Sequence, residues 1–195
     1  MLGTLYVGAA PFLMPAFRKH CLPYVAANAC QVNDLLLPAL RKRNAKRVID
    51  LGSGDGRVCI EAAHHLGVEA VGYELNPWLV LWSRFEARRR GVGHLCSFHR
   101  KDLFKAPVAE HDAVVLFVVP AMAPEIETML EAQLAADATV YSCRFPLDRW
   151  VADEHTVASE LTSGYNVNQM WEYTLPNAVD KQGGEGADPK AAVYQ

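Results

Sequence analysis

Val48-Ile49-Asp50-Leu51-Gly52-Ser53-Gly54-Asp55-Gly56 is an apolar run that meets an acid and breaks into a glycine-rich turn. A helical pattern follows from Arg57 to Leu66, with Val58, Ala62 and Leu66 on one face and Gly67 at its end. Strand, glycine turn and helix, in that order, are how an α/β domain holds a nucleotide-like ligand above its sheet.

Outward from this unit the pattern alternates. Strands are expected at Arg47–Leu51, Glu69–Tyr73 (closing on Glu74), Cys96–Arg100, Ala113–Val119 and Thr139–Cys143. The apolar run of 113–119 fits a central strand buried on both faces. Asn76 and Pro77 open a helix whose expected buried stripe is Leu79, Trp82 and Phe85, with Gly91 at its end. Pro124 opens another, with Ile126, Met129, Leu130 and Leu134 aligned. Upstream, Ala29 to Arg43 reads as a helix capped by Asn28 and Gln31, locally broken by Pro38 and placed to act as a lid. After the fifth strand, Thr156–Leu161 and Asn166–Thr174 read as a hairpin turning at Ser163-Gly164. The fold expected is α/β, Rossmann-like, with a mostly parallel doubly wound sheet and a C-terminal antiparallel hairpin.

Glycines at 52, 54 and 56 depart from the dinucleotide spacing, which wants glycine at 57 where Arg57 stands. No Gly-Lys-Ser/Thr follows, so a phosphate P-loop is excluded. Asp50 would repel a pyrophosphate but suits an ammonium group. S-adenosylmethionine carries an α-ammonium, a sulfonium and no phosphate, and glycines let the backbone approach it closely. Glu74, ending the second strand, is placed to accept from both ribose hydroxyls. Asp102, after the third strand, is placed to accept from the adenine amino group. A solvated strand end and a helix cap are the plain alternatives for these two. Three acids at successive strand ends favour the cofactor. The residues expected to hold it are Gln31, Asp50, Gly52, Gly54, Asp55, Gly56, Glu74, Leu75, Asn76, Asp102 and Leu103.

The runs V-I-D-L-G-S-G-D-G-R, V-G-Y-E-L-N-P-W-L-V, R-K-D-L-F-K and C-R-F-P-L-D-R-W, with P-F-L-M-P-A-F-R-K-H-C-L-P-Y-V upstream, resemble one small group of seven-strand methyltransferases. These are the mitochondrial protein-lysine methyltransferases acting on the ATP synthase c subunit and on the adenine nucleotide translocase. The resemblance spans roughly Ala10 to Tyr173. Y-E-L-N-P-W and C-R-F-P-x-x-x-W are its specific parts, while the glycine motif is generic to the superfamily. It implies an S-adenosylmethionine-dependent lysine N-methyltransferase with a membrane-embedded mitochondrial substrate, most directly the ATP synthase c subunit. It also implies a location at the mitochondrial inner membrane. Arg100-Lys101-Asp102 is closer to the translocase enzyme, so that substrate stays open.

A lysine attacks a sulfonium methyl only when neutral, and its free pKa is about 10.4, so an apolar aromatic channel is required. Tyr24, Trp78, Phe145, Trp150 and Trp171 are the candidates to line it; ordinary core packing is the preferred reading of Trp78 and Trp171, which leaves Tyr24, Phe145 and Trp150. After the fourth strand, Val118-Val119-Pro120-Ala121 stands where enzymes acting on planar amines carry an amide-binding motif, and it holds no such side chain. No residue stands out as a general base, since Asp148 reads as a surface acid. The scattered histidines do not make a metal site.

The chain has 195 residues, is 51% hydrophobic and has a formal net charge of −3, which suits one domain and disfavours a nucleic-acid footprint. Arg41-Lys42-Arg43, Lys46-Arg47 and Arg88-Arg89-Arg90 read as solvated helix ends. Five cysteines with no zinc spacing fit a reducing compartment. Leu2 to Phe17 is apolar and uncharged, and Arg18-Lys19 follow. It is too short for a complete span, and a span remnant, an interfacial anchor and a packed arm all fit it. The expected division is an apolar arm or anchor at 1–27, a methyltransferase domain at 28–179 and a disordered tail at 180–195. Competing readings are a small-molecule or RNA methyltransferase on the same scaffold, a cofactor-binding assembly protein with a degenerate site, and a dehydrogenase, which the glycine spacing opposes.

Overall fold

The computed structural model describes residues 27–117, 119–158 and 168–175. The apolar segment before Ala27, Tyr24, the hairpin turn at Ser163-Gly164 and the expected tail lie outside them.

Seven strands form one sheet: β1 (Arg47–Leu51), β2 (Glu69–Glu74), β3 (Cys96–Arg100), β4 (Ala113–Leu116), β5 (Thr139–Cys143), β6 (Glu154–Val157) and β7 (Gln169–Thr174). Their order is β3-β2-β1-β4-β5-β7-β6. The first five are parallel. β7 runs antiparallel to β5 and to β6, so the terminal hairpin inserts its second strand beside β5 and leaves β6 at the edge. The order reverses between β1 and β4, which opens a crevice at their carboxyl ends.

Side chains alternate between two buried layers. Val48, Ala70, Val115 and Cys143 face one, and Ile49, Leu51, Val114 and Val140 the other. Helices cover both: α1 (Leu37–Lys42), α2 (Arg57–Leu66) and α3 (Pro77–Arg89) the first, and α4 (Ala123–Gln133) the second. Burial on both faces is why the central strands are continuously apolar.

β4 stops at Leu116, short of the expected Val119. Its partner β1 leaves the sheet at Gly52, so nothing on that side pairs beyond the Leu51–Leu116 register. A 3-10 turn at Pro120–Met122 then leads into α4.

The first helix starts as expected. Asn28 N–H donates to Gln31 Oε1 at 3.0 Å, and Gln31 N–H donates to Asn28 Oδ1 at 2.7 Å, a reciprocal capping box. Ahead of Pro38 the backbone runs as a π-helix over Gln31–Leu36 before α1 begins, which is how the chain absorbs a proline without an N–H. Val32, Leu35, Leu36 and Leu40 are buried in the first core layer, so this helix is part of the core.

The stripe expected on α3 is corrected. Leu79, Val80, Ser83 and Ala87 are buried, whereas Trp82 and Phe85 are about half exposed. The glycine turn decides this. A Cβ on Gly56 would stand 2.7 Å from Ser83 Cβ, so only a small side chain fits where α3 crosses the turn. The helix therefore presents serine inward and its aromatic face outward. Trp78 is also half exposed, contrary to a core role, while Trp171 is buried and stacked on His155.

Among the described residues no helix is long and apolar enough to cross a membrane.

Candidate active site

The crevice is built from the end of β1. Asp50 is the penultimate residue of that strand, in register with Gly72 of β2 and Val115 of β4, and it is 2% exposed. The chain then turns through Gly52, Gly54 and Gly56, all at positive φ (91°, 52° and 80°). Left-handed backbone is costly for any residue with a Cβ, so the three glycines are what permits the turn. Gly52 N–H and Ser53 N–H both donate to Tyr73 O at 2.9 Å, which folds the turn back over β2.

Two residues that the sequence did not single out hold this turn. A Cβ on Gly72 would meet Ser53 Oγ at 2.6 Å and the Phe98 ring at 2.7 Å, so glycine in mid-strand lets the turn descend onto Phe98. Ser83, fully buried on α3, donates to Gly54 O at 3.2 Å and to Leu79 O at 2.8 Å. A glycine inside a strand and a serine inside an aromatic-rich helix were the available signals.

Glu74 closes β2 and reaches the same turn. Its Oε2 accepts from Gly54 N–H at 3.0 Å and its Oε1 from Asn76 N–H at 2.8 Å. Each oxygen keeps a lone pair for a further donor. Leu75 is half-buried beside it. Asn76 is buried and caps α3, accepting from Trp78 N–H at 3.0 Å. Asp102 caps the 3-10 turn Leu103–Lys105, accepting from Phe104 N–H at 3.2 Å, with Leu103 half-buried next to it. The cap reading of Asp102 is therefore realised.

Asp50 and Glu74 thus face one crevice, and Asp102 follows the end of β3, the strand next to β2. Burial, with Glu74 and then Asp55 adding negative charge, pushes the Asp50 carboxyl up from the usual carboxylate range to about 8. No cation is among the groups acting on it. A buried acid held against like charge calls for a cationic partner, and an α-ammonium meets that need where a phosphate would not. The residues present therefore fit S-adenosylmethionine. Asp55 itself is engaged by the Arg57 guanidinium at 2.6 Å and faces outward, so it contributes charge more than contact.

The expected substrate side is less concentrated. β5 ends at Cys143, whose buried thiol is raised first by desolvation and then by Asp50, which sets that strand end beside the acid. Arg144 follows at φ 81°, a left-handed position rare for arginine, and Phe145 is half-buried beyond it. Trp150 lies in the core over α4, its indole N–H donating to Glu131 at 2.9 Å and its ring against Tyr173. Packing is what the structure shows for Trp150. Asp148 is exposed. Glu61, His64 and His65 bring ligand atoms within 4.8 Å of one another on α2, but Arg90 is already paired with Glu61 at 2.5 Å.

The family model described as the ANTKMT methyltransferase domain matches residues 50–154. The lysine N-methyltransferase of the ATP synthase c subunit from Xenopus laevis is 47% identical over 89% of this chain and 73% of its own length. The adenine nucleotide translocase lysine N-methyltransferase of Mus musculus is 44% identical over 88% of this chain and 73% of its own length. The chain belongs to this family of protein-lysine N-methyltransferases. A solved RNA methyltransferase from Salinibacter ruber, in complex with S-adenosyl-L-homocysteine, superposes with a TM-score of 0.69 at 29% identity, over 84% of this chain and 99% of that one. A methyltransferase from Thiobacillus denitrificans, also bound to S-adenosyl-L-homocysteine, shares the fold at a TM-score of 0.54 and 20% identity, over 68% of this chain and 53% of that one. The cofactor of this lysine methyltransferase family member is S-adenosylmethionine.

Proposed function

We propose that the chain methylates a lysine side chain of a membrane-embedded mitochondrial protein, the ATP synthase c subunit before any other. The observation that carries this is the 47% identity, over 174 residues, with an enzyme named for that substrate. A second reading, methylation of the adenine nucleotide translocase, is favoured by the 44% identity to the mouse enzyme of that name. The location proposed is the mitochondrial inner membrane, by peripheral or anchored contact.

When bound, S-adenosylmethionine supplies a methyl group on a sulfonium, open to in-line attack by a neutral amine. The chain's residues have the other tasks. Asp50 takes the ammonium end, with Gly52, Gly54 and Gly56 as the floor beneath it and Gln31 as a further polar contact. Glu74 takes the ribose hydroxyls, with Leu75 and Asn76 beside it. Asp102 takes the adenine amino group, with Leu103 against the ring. Asp55 adds negative charge. Tyr24 and Phe145 are assigned to the lysine channel, where exclusion of water favours the neutral amine. Of these, Phe145 has the best support, since it follows the strand end beside Asp50.

The test is incubation with methyl-labelled S-adenosylmethionine and mitochondrial membranes, followed by gel separation. A labelled band of the size of the ATP synthase c subunit is expected. A band of carrier size selects the second reading, and label confined to RNA rejects both.

A further inference from the structure

Along α3 the side chains divide into two faces. Leu79, Val80, Ser83 and Ala87 are buried against the sheet, whereas Trp78, Leu81, Trp82 and Phe85 are each about half exposed. Spacings of three and four residues set these four on one outward ridge, about 10 Å long. The helix already has a buried face, so a second apolar face of this kind marks a surface that meets something.

The two flanks of the ridge differ in charge. Towards the first helix, Trp82 and Phe85 border a groove of about 480 Å³ whose charges are paired: Asp55 with Arg57 at 2.6 Å, Glu86 with Arg89 at 2.5 Å and Glu61 with Arg90 at 2.5 Å. Towards the edge of the sheet stand cations without acids. Arg84 Nη2 donates to Phe98 O at 2.6 Å, which fixes this flank beside β3, the edge strand. Arg88 is exposed one turn further along α3. Arg100, exposed at the end of β3, lies two residues past Phe98 and so on the same side of the sheet. None of these three arginines is in an ion pair among the described residues.

A ridge of tryptophan, leucine and phenylalanine with arginines along its margin suits the boundary of a lipid bilayer. Tryptophan rings settle at headgroup level, and an arginine stem lies along apolar surface while its guanidinium stays in the polar layer. A nucleic acid would need cations across the face and not only at its edge, and the whole chain carries −3. A second copy would set a net cationic face against itself.

We infer that the outer face of α3 docks on an anionic phospholipid bilayer, with Trp78, Leu81, Trp82 and Phe85 at the headgroup boundary and Arg88 and Arg100 on lipid phosphates. α3 starts at Asn76, whose N–H donates to Glu74 Oε1 at 2.8 Å, so a bilayer on this face borders the cofactor crevice. The inference deepens the reading of a membrane-embedded substrate and rests on it for its purpose. Vesicle binding is measured without that substrate, so either can fail alone.

The test mixes the full chain with vesicles of dibrominated phosphatidylcholine and cardiolipin, and reads tryptophan emission alongside co-sedimentation. Of the four tryptophans, Trp78 and Trp82 lie on the ridge, Trp150 and Trp171 are buried, and residues 1–26 hold none. The share of emission from Trp78 and Trp82 is expected to be lost on brominated vesicles and kept on unbrominated ones. Co-sedimentation with unquenched emission would place the membrane contact elsewhere in the chain and overturn the inference. Leu81→Glu with Phe85→Glu, both at exposed positions, is expected to abolish the quenching with S-adenosylhomocysteine binding unchanged. Undiminished quenching in that variant would contradict it. Arg88→Gln is expected to weaken binding to the cardiolipin vesicles about fivefold. Equal affinity would contradict the charge match. A dimer in vesicle-free buffer that the double substitution dissolves would assign the face to a second copy and also overturn the inference.

Discussion

Gly54 N–H donates to Glu74 Oε2 at 3.0 Å, which ties the glycine turn after β1 to the acid that ends β2. Glu74 therefore shapes the floor of the crevice as well as offering it a carboxylate. Glu74→Ala removes the acceptor for both Gly54 and Asn76. Hydrogen bonds to a charged group contribute about 1.5–3 kcal/mol each when protected from water. A loss of about 2 kcal/mol in stability is expected in urea unfolding, because the site is half open. A fall of about 30-fold or more in S-adenosylhomocysteine affinity by calorimetry is also expected, whereas Glu74→Gln should recover stability more than affinity.

Gly52 and Gly56 share a left-handed backbone and differ in surroundings. A Cβ at Gly52 meets nothing within 4 Å, while one at Gly56 meets Ser83 and Phe98 below 3 Å. Gly52→Ala is expected to cost about 1 kcal/mol from backbone strain alone. Gly56→Ala adds overpacking and is expected to cost about 3 kcal/mol. Equal midpoints in urea for the two variants would contradict this packing.

The Asp50 carboxyl titrates near 4 in an unfolded chain and is pushed up to about 8 here, first by burial and then by Glu74 and Asp55. Between those values the folded chain binds more protons than the unfolded one. Stability of the ligand-free protein therefore falls as pH rises from about 4 to about 8. The ionised form is the one that holds an ammonium, so cofactor affinity moves the other way and rises by up to about tenfold per pH unit below 8. Calorimetry in two buffers of different ionisation enthalpy should find proton release on binding near pH 7. Asp50→Asn should lose both the release and the slope.

Glu127 is fully buried on α4 and accepts from Arg149 N–H at 2.8 Å and Arg149 Nε at 2.7 Å. This pair fixes the segment from Phe145 to Trp150 against α4. Removing one partner of a buried pair leaves an uncompensated charge. The Arg149 side chain is about 40% exposed, so Arg149→Ala is expected to cost about 2 kcal/mol, at the low side for such a loss. Because the segment carries Phe145, KM for the protein substrate should rise more than KM for the cofactor.

Much of the fold was legible because period and punctuation agree. Asn28 with Gln31, Asn76 with Pro77, and Gly67 at φ 67° end or start elements where their side chains and backbone freedom require. The acids at the ends of β1, β2 and β3 were legible because topology alone brings parallel strand ends to one rim. What escaped depends on contacts between elements. The outward turn of Trp82 and Phe85 follows from how near Ser83 must come to Gly56, which helical period cannot register. The early end of β4 follows from β1 leaving the sheet at Gly52. Asp55 reads in sequence as part of the turn, yet Arg57 two residues on draws it to the outer groove. Trp150 reads as a channel aromatic, yet its ring is buried against Tyr173 and its N–H donates to Glu131 of the preceding helix.

The central claim is that a buried acid at the end of β1 makes this crevice a site for a cationic, phosphate-free cofactor. Titration calorimetry of S-adenosylhomocysteine at pH 8, with the wild-type chain and with Asp50→Ala, tests it most directly. The account predicts saturable binding to the wild type, no binding of NAD, and a loss of about 100-fold or more in the variant, the equivalent of about 2.7 kcal/mol. Undiminished affinity in Asp50→Ala, with the variant folded, would contradict it.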